Sequence, residues 1–534
     1  MSTPPRPQTM PGVATETVAT EVVEPVESET LDVPLPPIVI EEPELPPLDP
    51  ESVVEEAEQL LRESAPHDFD VLVIGAGPGG YGAAIRAAQL GARVGLVEER
   101  EIGGVCLNRG SLPTKALLES VDLLRLMRRA AEYGIRLEGS FRADFAAMQA
   151  RRQAVVAQMR EHVTQLLTAC QIKIIQGRAR FVEEHTVEIT SAEGSTRRVR
   201  AVDVIIATGS TPQRLPVPGC DLPGVVTSDE LLQDELLQEA TIPDSFLVIG
   251  SGAVGLEFAY LYAELGARVT LIESAADILP GEDSDVSRTM ARVLTERGIS
   301  IVTSAQLQRI EPVGSGLNVV YERAGKSRRM AAAKVLLAGA RRANTAGLGL
   351  DGIGVEHEQG RILVDEYCAT NVHGVYAVGD CVRHDGWAHH ANAEGRMAAE
   401  VIMKYPSTID LRYVPSCCYT HPEIASVGST QAAAEAAGRR TRVGVFHFRA
   451  NDKAVAAGDS EGFVKVVVDD ESDQLLGCQI IGPHATELIN EAVLALRTGQ
   501  TVEGLASAIH AHPTLSEALP QAALAARFGA PGIE

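Results

Sequence analysis

The spacing of apolar residues divides the chain before any motif is considered. From Asp68 onward, an apolar run at Phe69–Ile74 ends on glycines, an alanine-rich stretch over 79–90 follows with helical spacing, and a second apolar run occupies 93–97. This predicts strand, helix and strand, with strands apolar enough to be buried in a parallel sheet. A near copy recurs as a strand at Ser245–Ile249, a helix over 253–265 and a strand at Arg268–Ile272. Two such units predict two dinucleotide-binding folds. Between them, 121–130 and 145–170 carry helical periodicity. Strand-like runs at 463–468 and 475–481 alternate with helices over 485–498 and 517–528 in the C-terminal part. The expected fold class is α/β: two Rossmann-like, doubly wound, three-layer domains followed by a C-terminal α+β domain.

Ahead of these units the pattern breaks down. Residues 1–50 hold 12 of the 29 prolines, ten acids and one base, Arg6. Such a segment cannot bury enough apolar surface to offset its chain entropy, and disorder is expected. It reads as a solvated linker, with a docking or tethering arm as the alternative. Val53, Val54, Ala57, Leu60 and Leu61 then fall at helical spacing and predict a short amphipathic helix over 51–64.

Composition narrows the function. The chain has 534 residues, which at roughly 150 per domain allows three to four domains. Its formal net charge is −25, and −16 remains once the −9 of residues 1–50 is set aside. Phosphate backbones and anionic lipid repel such a surface, so neither nucleic acid nor membrane is an expected partner. No apolar run of about 20 residues exists to span a bilayer, and the N-terminus resembles neither a signal peptide nor a transit peptide, so a cytoplasmic location is expected. The eight cysteines do not suggest a disulfide-stapled fold, and their spacing lacks the CxxC pairs of a zinc site, so no metal is expected.

The chemistry sits in two glycine fingerprints. Gly75-Ala-Gly77-Pro-Gly-Gly80 follows the first strand and opens a helix, and Glu98 ends the next strand. Glycines there permit a tight turn and close approach of backbone to a pyrophosphate, the helix start offers unpaired N–H groups, and the distal carboxylate accepts from ribose hydroxyls. Gly250-Ser-Gly252-Ala-Val-Gly255 repeats the pattern, with Glu273 at the same distance. An acid at that point favours a free 2′-hydroxyl, and Ser274, Ala275 and Ala276 offer no cation for a 2′-phosphate. NAD is therefore expected over NADP.

With these motifs the sequence resembles the flavin-dependent pyridine nucleotide–disulfide oxidoreductases, and most closely their dihydrolipoamide dehydrogenase branch. The resemblance runs over about residues 68–530. It rests on GAGPGGYGAAIRAAQLG (75–91), EIGGVCLNRGSLPTKALL (101–118), ATGS (207–210), GSGAVGLEFA (250–259), YAVGD (376–380), YTHPEIASVG (419–428), IIGPHATELI (480–489) and HAHPTLSEA (510–518). It implies FAD and NAD as cofactors, a homodimer, and an ordered series of domains. These are a tail at 1–65, an FAD domain at 66–213, an NAD domain at 214–340, a return to the FAD domain at 341–408 and a dimerisation domain at 409–534. It further implies that Gly75, Gly77, Gly80, Glu98, Gly104, Lys115, Thr208, Gly209, Asp380 and Ala388 serve FAD, with Asp380 on the ribityl chain. Lys115 would sit by flavin N5 and pair with Glu257. Gly250, Gly252, Gly255, Glu257, Glu273 and Ala340 would serve NAD, although the family usually has glycine at the Ala340 position. His389 resembles a flavin-adjacent position.

One departure bears on function. Where the disulfide enzymes of the family carry two cysteines five positions apart, this chain reads Cys106-Leu-Asn-Arg-Gly-Ser111. A serine hydroxyl is not ionised near neutral pH, forms no disulfide and has no oxidation ladder. Cys106 could form a mixed disulfide, but nothing adjacent would resolve it. Cys417-Cys418 is the only adjacent pair elsewhere, and in a strand its side chains point to opposite faces. His512 and Glu517 match the family's acid–base dyad, which works on the partner subunit's thiols; His510 reads as a packing neighbour. Three readings stay open. The first is NADH-to-flavin transfer with impaired disulfide turnover, passing electrons to a small acceptor as diaphorases and soluble transhydrogenases do. The second is a genuine dihydrolipoyl dehydrogenase using another thiol and docked to a multienzyme complex that supplies the lipoyl group. The third is a flavin-loaded scaffold.

Overall fold

The structure, a computed structural model, describes residues 67–233, 241–383 and 386–529. The tail and helix expected within 1–64 lie outside the described residues.

The first unit begins with β1 (Phe69–Ile74), α1 (Pro78–Gln89) and β2 (Val94–Glu98). Two helices follow closely, α2 (Gly104–Arg109) and α3 (Ser111–Arg128), and then a long α4 (Phe145–Ala169). β3 (Lys173–Gln176) extends the sheet, and β4 (Arg178–Glu183), β5 (Thr186–Thr190) and β6 (Thr196–Ile206) complete it. β6 belongs to two layers. Its second half pairs parallel to β1, with Ile74 opposite Ile206, whereas its first half pairs antiparallel to β5, with Thr186 opposite Arg200. The order β3-β2-β1-β6 is all parallel, and β1 buries Val71, Leu72, Val73 and Ile74 almost completely, as a strand covered on both faces must.

A short antiparallel ribbon marks where the chain leaves this unit and returns. It pairs β7 (Ser210–Pro212) with a strand that follows the second unit. That unit holds β8 (Val225–Thr227), β9 (Ser245–Ile249), α5 (Ala253–Glu264), β10 (Arg268–Ile272), α6 (Ser284–Glu296) and β11 (Ser300–Val302). A three-strand antiparallel meander, β12 (Ala305–Val313), β13 (Gly316–Arg323) and β14 (Lys326–Ala332), precedes β15 (Lys334–Leu337). The order β11-β10-β9-β15-β8 is again parallel. β16 (Arg341–Ala343) closes the ribbon with β7, and β17 (Val375–Ala377) then adds to β6 in parallel.

α7 (Ala388–Ile402) packs on α1 so closely that a Cβ on Gly395 would lie 2.1 Å from the Gly79 carbonyl oxygen. The small residues of α1 (Gly79, Gly80, Gly82, Ala83, Ala84, Ala87) form its buried side and make that approach possible. The C-terminal region is a five-strand antiparallel sheet. It consists of β18 (Ser416–Cys418), β19 (Glu423–Gly428), β20 (Thr441–His447), β21 (Phe463–Asp469) and β22 (Leu475–Gly482), in the order β18-β19-β22-β21-β20. α8 (Ala485–Arg497) and α9 (Ala518–Phe528) cover it, the latter with the Ala522 carbonyl against Gly444.

The expected fold class is the one observed. The 121–130 periodicity belongs to a helix that starts ten residues earlier, at Ser111. Among the described residues no helix is long and apolar enough to cross a membrane.

Candidate active site

The two glycine loops are copies in three dimensions as well as in sequence. Gly75 and Gly250 both adopt φ +102°, and a Cβ on either would strike a carbonyl oxygen of the neighbouring strand's end, Ala207 at 2.4 Å and Ala338 at 2.6 Å. A Cβ on Gly80 would sit 1.8 Å from the Gly75 oxygen, and one on Gly255 would sit 2.0 Å from the Gly250 oxygen. These four positions must be glycine for the turn to close. The middle glycines are different. Gly252 faces open space, and Gly77 meets only the Gly104 Cα, at 3.9 Å. Each is the N-cap of its helix, and neither gives a side-chain cap, so the first N–H groups of α1 and α5 are left for an anion. An open backbone cradle at a dipole-positive helix start fits a dinucleotide pyrophosphate.

The distal acids close both cradles. Glu98 accepts from the backbone N–H of Ala76 and of Arg100, each at 2.7 Å. Burial nonetheless keeps its carboxyl above the usual range, because these bonds offset only part of the desolvation. Glu273 is better supplied. It accepts from Ser251 through N–H (2.9 Å) and Oγ (2.7 Å), from Ala275 N–H (2.8 Å) and from Ser274 Oγ (3.0 Å). Burial pushes against ionisation there too, but these four donors outweigh it and hold the group below its ordinary value.

Between the cradles, Lys115 of α3 reaches Glu257 of α5. Its Nζ lies 2.9 and 2.8 Å from the two carboxylate oxygens and 4.3 Å from the centre of the Tyr419 ring. Glu257 is 4 % exposed and also accepts from the Tyr419 backbone N–H at 3.0 Å. The pair thus joins the first unit, the second unit and the C-terminal sheet at one point. Asp380 follows β17 and accepts from Ser210 Oγ at 2.5 Å, while Arg341 donates to the same hydroxyl at 2.7 Å. Gly104 sits with φ +59° against Gly77, Gly209 faces open space, Thr208 precedes it at the end of β6, Ala388 opens α7, and the Ala340 carbonyl accepts from Gln213 N–H.

Cys106 lies in α2, and Ser111 is the first residue of α3. Burial pushes the Cys106 thiol up. Hydrogen bonding from Ser111 and the Lys115 charge pull it down without cancelling that effect, and the Asp380 charge adds to it. The remaining cysteines are free thiols; Cys418 is buried with its Sγ 3.8 Å from the Ala253 oxygen. His512 and Glu517 meet at 3.0 Å (Nδ1 to Oε1), with Glu517 also accepting from Thr514 N–H at 2.7 Å. The hydrogen bond and charge of Glu517 raise the His512 pKa. The dyad is solvent-facing, its other ionic neighbour is Asp452, and it stands apart from Cys106 in its contacts. His510 pairs with Glu491 at 2.9 Å, and His389 bonds the Pro415 carbonyl at 2.8 Å. Among the described residues no cluster of three or more potential metal ligands occurs.

Sequence reasoning missed Tyr419, Ser251, Ser210 and Arg341. Ser251 had a usable signal, a small polar residue between two loop glycines facing an acid. Ser210 closes the ATGS motif but Arg341 had no signal, because only the ribbon brings the two together.

Two congruent nucleotide cradles bridged by a half-buried lysine on a buried glutamate define a two-dinucleotide oxidoreductase. Residues 69–396 match the family described as pyridine nucleotide-disulphide oxidoreductase, and residues 414–523 match its dimerisation domain. The chain belongs to this family. It is 40% identical over 469 residues to the dihydrolipoyl dehydrogenase of Chlorobaculum parvum, covering 87% of this chain and 98% of that one. It is 38% identical over 470 residues to the dihydrolipoyl dehydrogenase of Bacillus subtilis, covering 86% and 98%. The crystal structure of LpdA from Mycobacterium tuberculosis superposes with a TM-score of 0.79 at 29% identity, covering 85% and 99%. The protein is accordingly an NAD-linked flavoprotein oxidoreductase of the dihydrolipoyl dehydrogenase type, with FAD and NAD(H) as cofactors. The dimerisation domain supports a homodimer.

Proposed function

We propose that this enzyme retains hydride exchange between NADH and FAD while its dithiol–disulfide turnover is impaired. The observation that carries the reading is Ser111. It occupies the first turn of α3, hydrogen-bonded to Cys106 and one turn before Lys115, where the second thiol of a redox couple would be needed.

The chemistry the bound cofactors supply is hydride transfer between nicotinamide and flavin. The protein's part is to hold and charge the site. Gly75, Gly77, Gly80 and Gly104 make room for the FAD pyrophosphate, Glu98 takes its ribose, and Asp380, Thr208, Gly209 and Ala388 line the rest. Gly250, Gly252, Gly255, Glu273 and Ala340 do the same for NAD. On this reading 66–213 and 341–408 form the FAD domain, 214–340 the NAD domain and 409–534 the dimerisation domain. Lys115, fixed by Glu257, places a cation where reduction adds negative charge. Cys106 at rest is a protonated thiol and needs a base, for which the His512–Glu517 dyad of an assembled dimer is suited. Without a neighbouring sulfur, a mixed disulfide at Cys106 has no internal exit, so a small-molecule acceptor is the better-supported electron sink.

An anaerobic redox titration tests this. Uptake of two electrons per flavin is expected, with lipoamide turnover at least ~100-fold below that of a dithiol enzyme. Uptake of four electrons would refute the loss of the couple. The 40% identity to dihydrolipoyl dehydrogenases over nearly their whole length favours a second reading, in which another thiol completes the cycle and the enzyme docks on a lipoyl-bearing complex. Cys417 and Cys418 are within electrostatic reach of Lys115 and Glu257, but burial holds the Cys417 thiol up to about 11 and the Cys418 thiol higher still. Normal lipoamide turnover that disappears in Cys417→Ser would establish it.

A further inference from the structure

The segment between β10 and α6 does more than connect them. Its Leu279 N–H donates to the carbonyl of Ser251 (3.2 Å), inside the second glycine loop. Three acids then follow within four positions, and each points into the C-terminal sheet. Glu282 accepts from Ser416 Oγ at 2.7 Å and Ser426 Oγ at 2.5 Å. Asp283 takes Lys465 Nζ on both oxygens at 2.9 Å, and Asp285 takes the same ammonium at 2.7 Å. Asp283 is 4 % exposed and Lys465 3 %. Buried charges of this kind hold their geometry closely, because any displacement leaves one of them unpaired in a poor solvent.

The same sheet carries the other half of the site. Ser416 lies in β18, and the chain continues from that strand to Tyr419, which bonds Glu257 and underlies Lys115. The contacts therefore close a ring: glycine loop, Leu279, Glu282 with Asp283, the sheet, Tyr419, Glu257, and back along α5 to the loop. Other ties join the second unit to the sheet, among them the exposed Arg292–Glu461 pair and an apolar core shared with Cys418, Ile424, Phe463 and Ile481, but Lys465 with Asp283 is a buried, directional ionic one.

We infer that Lys465, with Glu282, Asp283 and Asp285, is a positioning device that sets the second nucleotide cradle at a fixed distance from Lys115, so that NADH bound there is aimed at the flavin. This rests on the reading of that cradle as the NAD site. The tie lies outside the cradle itself, so it should govern aim rather than affinity for the adenosine end of the nucleotide.

The test is Lys465→Met in the flavin-loaded protein. ADP-ribose affinity is measured by calorimetry and flavin reduction at saturating NADH by stopped flow. The expected result is a full flavin complement, ADP-ribose binding within about twofold of wild type, and a limiting reduction rate at least ~10-fold lower, since small misplacements of reacting groups are costly. An unchanged rate overturns the inference. An ADP-ribose affinity that falls as far as the rate also overturns it, since the tie would then be shaping the loop. If the unaltered protein binds no ADP-ribose, the NAD reading fails, and the inference with it. Should Lys465→Met not fold, the double variant Ser416→Ala, Ser426→Ala removes the neutral half of the tie. It should show the same split, with a slowing of about threefold.

Discussion

Replacing Gly80 by alanine should cost the protein its FAD and leave its NAD site intact. The added Cβ would lie 1.8 Å from the Gly75 carbonyl oxygen. That atom belongs to backbone fixed between β1 and α1, so α1 must retreat by roughly 1.5 Å before even a tight contact is reached. Overpacking of this sort costs about 3 kcal/mol at the upper end of the usual range. Alanine recovers about 1 kcal/mol of helix propensity over glycine. The clash wins by about 2 kcal/mol, and it falls on the N–H groups that would grip the pyrophosphate, so the FAD dissociation constant should rise ~30-fold. The second loop supplies the control, because a Cβ on Gly255 meets the Gly250 oxygen at 2.0 Å. Gly255→Ala should keep its flavin and lose NAD affinity by a similar factor. Flavin absorbance after gel filtration and calorimetry with NAD+ read the two sites separately. Loss of flavin in Gly255→Ala with retention in Gly80→Ala would invert the assignment of the loops and refute the reasoning.

Other perturbations test other parts of the site. Glu273→Gln removes a carboxylate held by four donors and should raise the KM for NADH only about threefold while clearly improving the use of NADPH; steady-state kinetics with both nucleotides would show it, and NADPH left no better would count against Glu273 as the selecting acid. Lys115→Gln removes the cation opposite Glu257 and should lower the flavin midpoint potential by tens of millivolts, at about 30 mV per 1.4 kcal/mol for two electrons; an unchanged potential by dye equilibration would place Lys115 away from the flavin. The His512 ring should titrate above the ordinary histidine range by NMR, and Glu517→Gln should move that midpoint down. Because folding raises this pKa, the ion pair contributes in full below the unfolded histidine range and is lost as pH rises through the folded midpoint, so Glu517→Gln should matter least in alkali.

The parts of this fold that were legible in the amino-acid pattern are those dictated locally. Parallel strands such as Phe69–Ile74 and Arg268–Ile272 are largely apolar, with Asp70 and Arg268 confined to their less buried starts, and their limits coincide with the expected ones. The glycine loops were legible because steric necessity leaves one residue type at four positions. Other features depend on distant partners. The start of α3 at Ser111 was missed because its first turn reads as polar loop, and the helix is held by packing against α4 and α5 rather than by a cap of its own. The β12–β14 meander was missed because its outer strand, Lys326–Ala332, is largely exposed and carries charge where alternation would otherwise announce a strand. Lys465 lies mid-strand in a run of valines, and its burial is intelligible only once Asp283, 182 residues away, stands opposite.

The two distal carboxylates show how far congruent backbones can diverge in chemistry. Glu98 and Glu273 occupy the same step of the same motif, yet the surroundings push one acid up and the other down. Desolvation opposes ionisation at both and prevails at Glu98; at Glu273 the hydroxyls of Ser251 and Ser274 add to the backbone donors and outweigh it, whereas Ala76 stands where Ser251 does and offers Glu98 only its N–H. A carboxylate already satisfied by four donors gains little from a ribose but remains a fixed negative charge, suited to excluding a 2′-phosphate from a nucleotide that must come and go. A carboxylate short of donors gains most when a ribose supplies two more, and that suits a cofactor that stays. With the first loop holding FAD and the second NAD, as proposed, the same glycine frame serves a resident nucleotide and a transient one, and Ala76 against Ser251 is one of the side chains that separates them.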